Sequence, residues 1–104
     1  MIDIILMYPA GEGRTFNMDY YLNTHIPLFQ KRMGANAGNL RVLRGAQGLM
    51  PGSPAPYVAI AQWTAESAEA YAAAFAPHAE EILGDIPKYT NIQPVVQYSE
   101  IIAV

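Results

Sequence analysis

The sequence predicts an α+β domain with the element order β-α-β-β-α-β. Three observations carry that prediction. Runs rich in apolar and β-branched residues read as strands at 2–8, 40–47, 57–63 and 93–104. Stretches of helical period separate the first strand from the second and the third from the fourth. The second and third strands are joined by Gly48 to Pro56, a segment of glycine, proline and serine that reads as a long hairpin-type loop. This order is the split pattern of ferredoxin-like folds, a four-stranded antiparallel sheet with its helices on one face.

Ile2 to Tyr8 is almost continuously apolar, as expected of a strand buried on both faces. Pro9 to Gly13 has the chemistry of a turn. Asn17 is a suitable N-cap for a helix beginning at Met18, with Asp19 at the positive end of its dipole and Phe16 placed to pack back on Tyr21. Met18, Leu22, Ile26, Phe29 and Met33 form the apolar stripe of this helix; Tyr21, His25, Leu28 and Arg32 run along its edge. Pro27 cannot donate to the Asn23 carbonyl and predicts a kink beside His25. The helix should stop at Met33-Gly34.

Leu40 to Gln47 is the second strand, with Arg41 and Arg44 on opposite faces, and the loop after it is of a kind that often covers a site. In the third strand, Tyr57, Ala59, Ala61 and Trp63 share one face. The two alanines leave space above the sheet for a helix or a ligand. Thr64 is read as N-cap of a second helix, Ala65 to Phe75, with Tyr71 and Phe75 on one side. Pro77 opens a shorter helix that Gly84 should end, and His78, Ile82 and Phe75 could face inward together. Asp85 to Asn91 reads as a loop, and Gln93 to Val104 as the last strand.

One small domain, residues 1–104, is expected at this length. Charged residues make up only 14% and hydrophobic ones 52%, against a usual charged share of about 25%. Two helices cover one face of a four-stranded sheet, so the apolar other face predicts a partner. Sheet-to-sheet homodimerisation is the economical choice, and a different protein on the open face is the alternative. The net charge of −3 without a basic stripe argues against nucleic acid. The absence of cysteine excludes disulfides and thiolate chemistry. No apolar run approaches the roughly 20 residues of a membrane span. The start of the chain goes straight into a strand, so a cytoplasmic location is expected.

Tyr20-Tyr21 followed by His25-Ile26-Pro27-Leu28 resembles the helix of EthD-domain proteins, a family named after a component of bacterial ethyl tert-butyl ether degradation. His78, the run Asp85 to Asn91, then Pro94 and Gln97 resemble the segment before that family's final strand. The resemblance spans nearly the whole chain. It implies a dimeric α+β barrel built by pairing two sheets, with a pocket between sheet and helices in each subunit. Related barrels isomerise, cyclise, dehydrate or oxidise small molecules without metal or organic cofactor, often through a histidine and a tyrosine. Some hold haem, which nothing in this sequence singles out.

An imidazole near its ordinary pKa can take or give a proton at neutral pH, and a buried phenol can donate to a developing enolate. His25 is therefore the expected base, Tyr21 its donor and His78 the second candidate. Trp63, Tyr71, Tyr89, Phe29 and Ala61 are the expected seat of an apolar or aromatic compound. Each has a plain alternative as a packing residue. His25 and His78 lie on different elements without a carboxylate at ligand spacing, so no metal site is expected. Two functions stay open. One is cofactor-independent acid/base chemistry; the other is a non-catalytic carrier or accessory subunit of an oxidative degradation pathway.

Overall fold

A computed structural model describes residues 1–104. Strand β1 spans Ile2–Pro9. Helix α1 covers residues 18–33 in three pieces: an α-helical turn Met18–Tyr20, a π-helical segment Tyr21–His25 and an α-helical stretch Ile26–Met33. A 3-10 turn, Gly34–Ala37, leads into β2, Gly38–Arg44. Then come β3, Tyr57–Ala65, and α2, Ala68–Phe75. A 3-10 turn at Ala76–His78 joins α2 to α3, Ala79–Asp85, and a further one follows at Ile86–Lys88. Strand β4 is Val95–Glu100. The strands form one antiparallel sheet in the order β2-β3-β1-β4, the ferredoxin-like arrangement.

The first helix starts as its sequence predicts. The Asn17 side chain accepts from the Tyr20 N–H at 3.1 Å, and the Phe16 and Tyr21 rings meet edge to face at 5.0 Å. The expected apolar stripe is corrected by the π turn. Pro27 has no N–H, and the Ile26 N–H bonds to the Tyr21 carbonyl, five residues back. The wider turn carries one residue more and rotates the positions before the proline. Leu22 is turned out to 42% exposure, while Tyr21 and His25 move from the edge into the buried line with Ile26, Phe29 and Met33. π turns inside α-helices are rare and tend to occur at functional sites.

Several other boundaries differ. Ser67, not Thr64, caps α2, accepting from the Ala70 N–H at 3.0 Å, because β3 continues two residues past Trp63 to Ala65. Gly84 does not end a helix; α3 runs through it to Asp85. Ile101 to Val104 lie beyond the last strand and are exposed. The loop after β2 covers no cavity at His25; it frames a separate shallow groove with Phe16 and Met18.

The core lies between the sheet and the helices. Ile4 and Tyr8 of β1 and Ala59, Ala61, Trp63 and Ala65 of β3 point to the helical side and are buried. The alanine gap is closed by the protein itself: Phe29 and Met33 pack in the cluster with Ala61, and Tyr21 in the cluster with Ala59. On the opposite face Ile5, Met7 and Ile60 are half-buried, and Leu43 and Val95 are exposed. Nothing in the single chain covers this apolar face.

Candidate functional site

His25 sits at the end of the π segment and is 5% exposed. Its Nδ1 lies 3.0 Å from Oδ2 of Asp85, itself 6% exposed at the end of α3. The other carboxylate oxygen accepts from the Tyr20 hydroxyl at 2.7 Å, and Lys88 Nζ approaches it at 3.7 Å from a largely exposed position. Burial works against the charged carboxylate, but the Tyr20 hydroxyl, the His25 ring and Lys88 outweigh it and hold Asp85 below the ordinary carboxylate range. Asp85 is therefore ionised at neutral pH. For His25 the balance falls the other way. Burial dominates over the attraction of Asp85 and pushes the imidazole below its ordinary value.

These directions fix the proton. A neutral imidazole facing a carboxylate must carry its hydrogen on Nδ1 and donate it to Asp85. Nε2 then holds a lone pair. It makes no hydrogen bond within the protein, yet it is not sealed off from open space as Trp63 Nε1 is. His25 stacks on Tyr21 with ring centroids 5.6 Å apart and meets the tilted Tyr89 ring at 4.7 Å. With Tyr21 and Tyr89 themselves 5.0 Å apart, the three rings form one tight cluster that holds the imidazole.

Around it lies a cavity of about 190 Å³ between sheet and helices, in which 13 of 14 lining residues are hydrophobic. One end carries His25, Tyr21 and Tyr8. The body is walled by Phe29, Trp63, Tyr71, Phe75 and Ile82. The rim of the cavity lies between α3 and β4, where the lining residues Leu83, Val96 and Tyr98 are exposed. The Tyr8 and Tyr89 hydroxyls share a buried hydrogen bond of 2.7 Å. Burial pushes the phenols of Tyr8, Tyr21, Tyr71 and Tyr89 up. All four stay protonated at neutral pH and act as hydrogen-bond donors, not bases. Trp63 Nε1 is a buried donor without a partner in the wall of this cavity.

The structure brings His25, Tyr21, Trp63, Tyr71 and Phe29 to one cavity. Tyr89 stands directly behind it, bonded to Tyr8. Ala61 lies in the core beneath Phe29 and outside the cavity wall, and His78 is half-buried at the start of α3, also outside it. Asp85, Tyr8 and Tyr20 are the residues that sequence reasoning missed. Asp85 is 60 positions from His25. The signal available was the burial-prone company of Ile82 and Ile86, three before it and one after, at helical spacing.

The sheet order and the helices on one face make this a ferredoxin-like α+β domain. A family model described as the EthD domain matches residues 11–93, and the chain belongs to the EthD family. An EthD-like protein of Ralstonia eutropha JMP134 is similar at TM-score 0.92 and 39% identity, over 98% of this chain and 92% of that one. A protein of the ethyl tert-butyl ether D (EthD) family from Bacillus halodurans C-125 shares the fold at TM-score 0.67 and 18% identity, over 93% of this chain and 96% of that one. No curated protein matches the sequence.

Proposed function

We propose that this EthD-family protein binds a small apolar or aromatic compound in the His25 cavity and moves a proton on it. The observation that supports this reading is a neutral, oriented imidazole whose free Nε2 meets an otherwise apolar cavity. Nε2 takes a proton from carbon beside a carbonyl, and the nearby Tyr21 phenol donates to the developing enolate oxygen. Asp85 stabilises the imidazolium formed. Return of the proton at another atom gives isomerisation; its delivery to a β-hydroxyl, which leaves as water, gives dehydration. Attack of the enolate carbon on a second carbonyl of the same compound, whose oxygen takes the proton, gives cyclisation. His78 is outside the cavity and has no part in this scheme.

The chain is also proposed to work as a homodimer joined sheet to sheet. The uncovered apolar face of Ile5, Met7, Leu43 and Ile60 supports this.

A carrier or accessory role is the second reading. It is favoured by the wall itself, where His25 is the one group able to accept a proton at neutral pH. Hydrogen–deuterium exchange at the α-carbon of an enolisable aryl ketone, followed by NMR, separates the two. Proton transfer predicts exchange above the buffer rate that His25→Ala abolishes. A ketone that binds without exchanging contradicts the catalytic reading and leaves the carrier.

A further inference from the structure

The cavity is chemically lopsided, and its lopsidedness selects a ligand class. All six cationic side chains of the chain can be placed. Arg14 bonds the Pro9 and Ala10 carbonyls, and Arg32 is paired with Glu81 at 2.7 Å. Lys31, Arg41 and Arg44 are exposed, and Lys88 reaches Asp85 from solvent. None lines the cavity. The one charge close to its polar end is negative: Asp85, bonded to the far side of the His25 ring.

Nε2 of His25 accepts a hydrogen bond, while Tyr21, stacked beside it, brings a phenol hydroxyl able to donate; the Tyr8 hydroxyl is already shared with Tyr89. A hydroxyl group answers both demands, giving its proton toward Nε2 and accepting from a phenol. A carboxylate answers only the second and would bring a charge into an apolar wall with no cation and with Asp85 behind it. The volume, about 190 Å³, exceeds the void of roughly 150 Å³ that admits benzene. One substituted ring fits.

We infer that the cavity takes neutral hydroxy-aromatic compounds, phenols or small aromatic alcohols, with the hydroxyl at the His25–Tyr21 end, and rejects aromatic acids of the same shape. This rests on the reading of the cavity as the binding site.

The test is an NMR titration of the intact protein with p-cresol, toluene and p-toluate at neutral pH, following His25 and Trp63 signals. The three probes share a ring and a methyl group and differ in the head. Two buried hydrogen bonds predict that p-cresol binds about tenfold more tightly than toluene. An unpaired buried carboxylate predicts that p-toluate binds about a hundredfold more weakly than p-cresol. Tyr21→Phe removes one of the two bonds and should reduce the preference for p-cresol over toluene to about threefold without changing toluene itself. Should Tyr21→Phe fold poorly, the ratios on the unaltered protein decide alone. p-Toluate binding as well as p-cresol, or toluene equalling p-cresol, overturns the ligand class but keeps the cavity as a site. No response at His25 or Trp63 to any probe overturns the ligand class together with the reading of the cavity.

Discussion

Replacing Asp85 with Asn keeps the shape of the side chain and removes its charge. The amide oxygen can still accept from His25 Nδ1, now at 3.0 Å from a carboxylate oxygen. A hydrogen bond to a charged group is worth about 1.5–3 kcal/mol and a neutral one about 0.5–1.5 kcal/mol, so the loss is about 1–1.5 kcal/mol. Relief from burying a charge works in the opposite direction. Asp85 is held below the ordinary carboxylate range, however, so the fold favours the ionised form despite its burial. The Tyr20 hydroxyl is only part-buried and can turn to water, so its bond to Asp85 adds little to the difference. Asp85→Ala removes the acceptor altogether and leaves a buried imidazole N–H unpaired, a cost of about 3 kcal/mol. For a domain of this length each kcal/mol moves Tm by about 4–5 °C. Thermal denaturation followed by circular dichroism should therefore place Asp85→Asn about 5 °C below the parent and Asp85→Ala about 12–15 °C below it. An Asp85→Asn protein that melts at or above the parent temperature refutes the argument that this carboxylate is held in its charged form by its partners.

Stability should fall on acidification in two stages. The His25 imidazole lies below its unfolded value of 6.5 in the fold, so the unfolded chain binds the extra proton first. Stability is full above about pH 6.5 and is lost as pH falls toward the lowered folded value. Asp85, lowered from 3.8, adds a second loss below that range. His25→Gln should remove the first stage in Tm measured against pH and shrink the second, because Tyr20 and Lys88 still hold the carboxylate down while the His25 contribution is lost. Ser67→Ala removes the cap of α2 and should cost about 1 kcal/mol by denaturant unfolding. Gly45→Ala should cost about 1–3 kcal/mol, because the added methyl meets the Tyr57 carbonyl and the Ala55 side chain. Ile60→Asp, at the centre of the open sheet face, should convert a species of twice the 11.4 kDa chain mass into monomer in analytical ultracentrifugation.

The fold was legible where local chemistry and tertiary structure agree. The strand runs, the Asn17 cap, the Phe16–Tyr21 contact and the glycine after Met33 are decided by neighbours in sequence. His25 stood out because a histidine beside a proline interrupts an apolar pattern. What stayed hidden depends on distant parts of the chain. Asp85, followed by Ile-Pro-Lys, looks like loop chemistry, and only the packing of α3 against α1 makes it a partner for His25. Tyr8 looked like the end of a strand; its hydroxyl gains meaning from Tyr89, 81 residues on. The space expected over Ala59 and Ala61 is filled because the π turn swings Tyr21 inward, a rotation that a regular helical period does not contain. The cavity lies instead over Leu6 and Val96, toward β4, with Tyr71, Phe75, Ile82 and Leu83 of the second and third helices as its other wall.

The central claim is a neutral His25 that donates from Nδ1 to Asp85 and offers a bare Nε2 to the cavity. The most direct test is the ¹⁵N spectrum of the His25 ring, through its couplings to the ring protons, in the intact protein at neutral pH. The account predicts a protonated Nδ1 and an unprotonated Nε2, with Nε2 moving when p-cresol is added. A proton on Nε2, or an imidazolium carrying both, would contradict it.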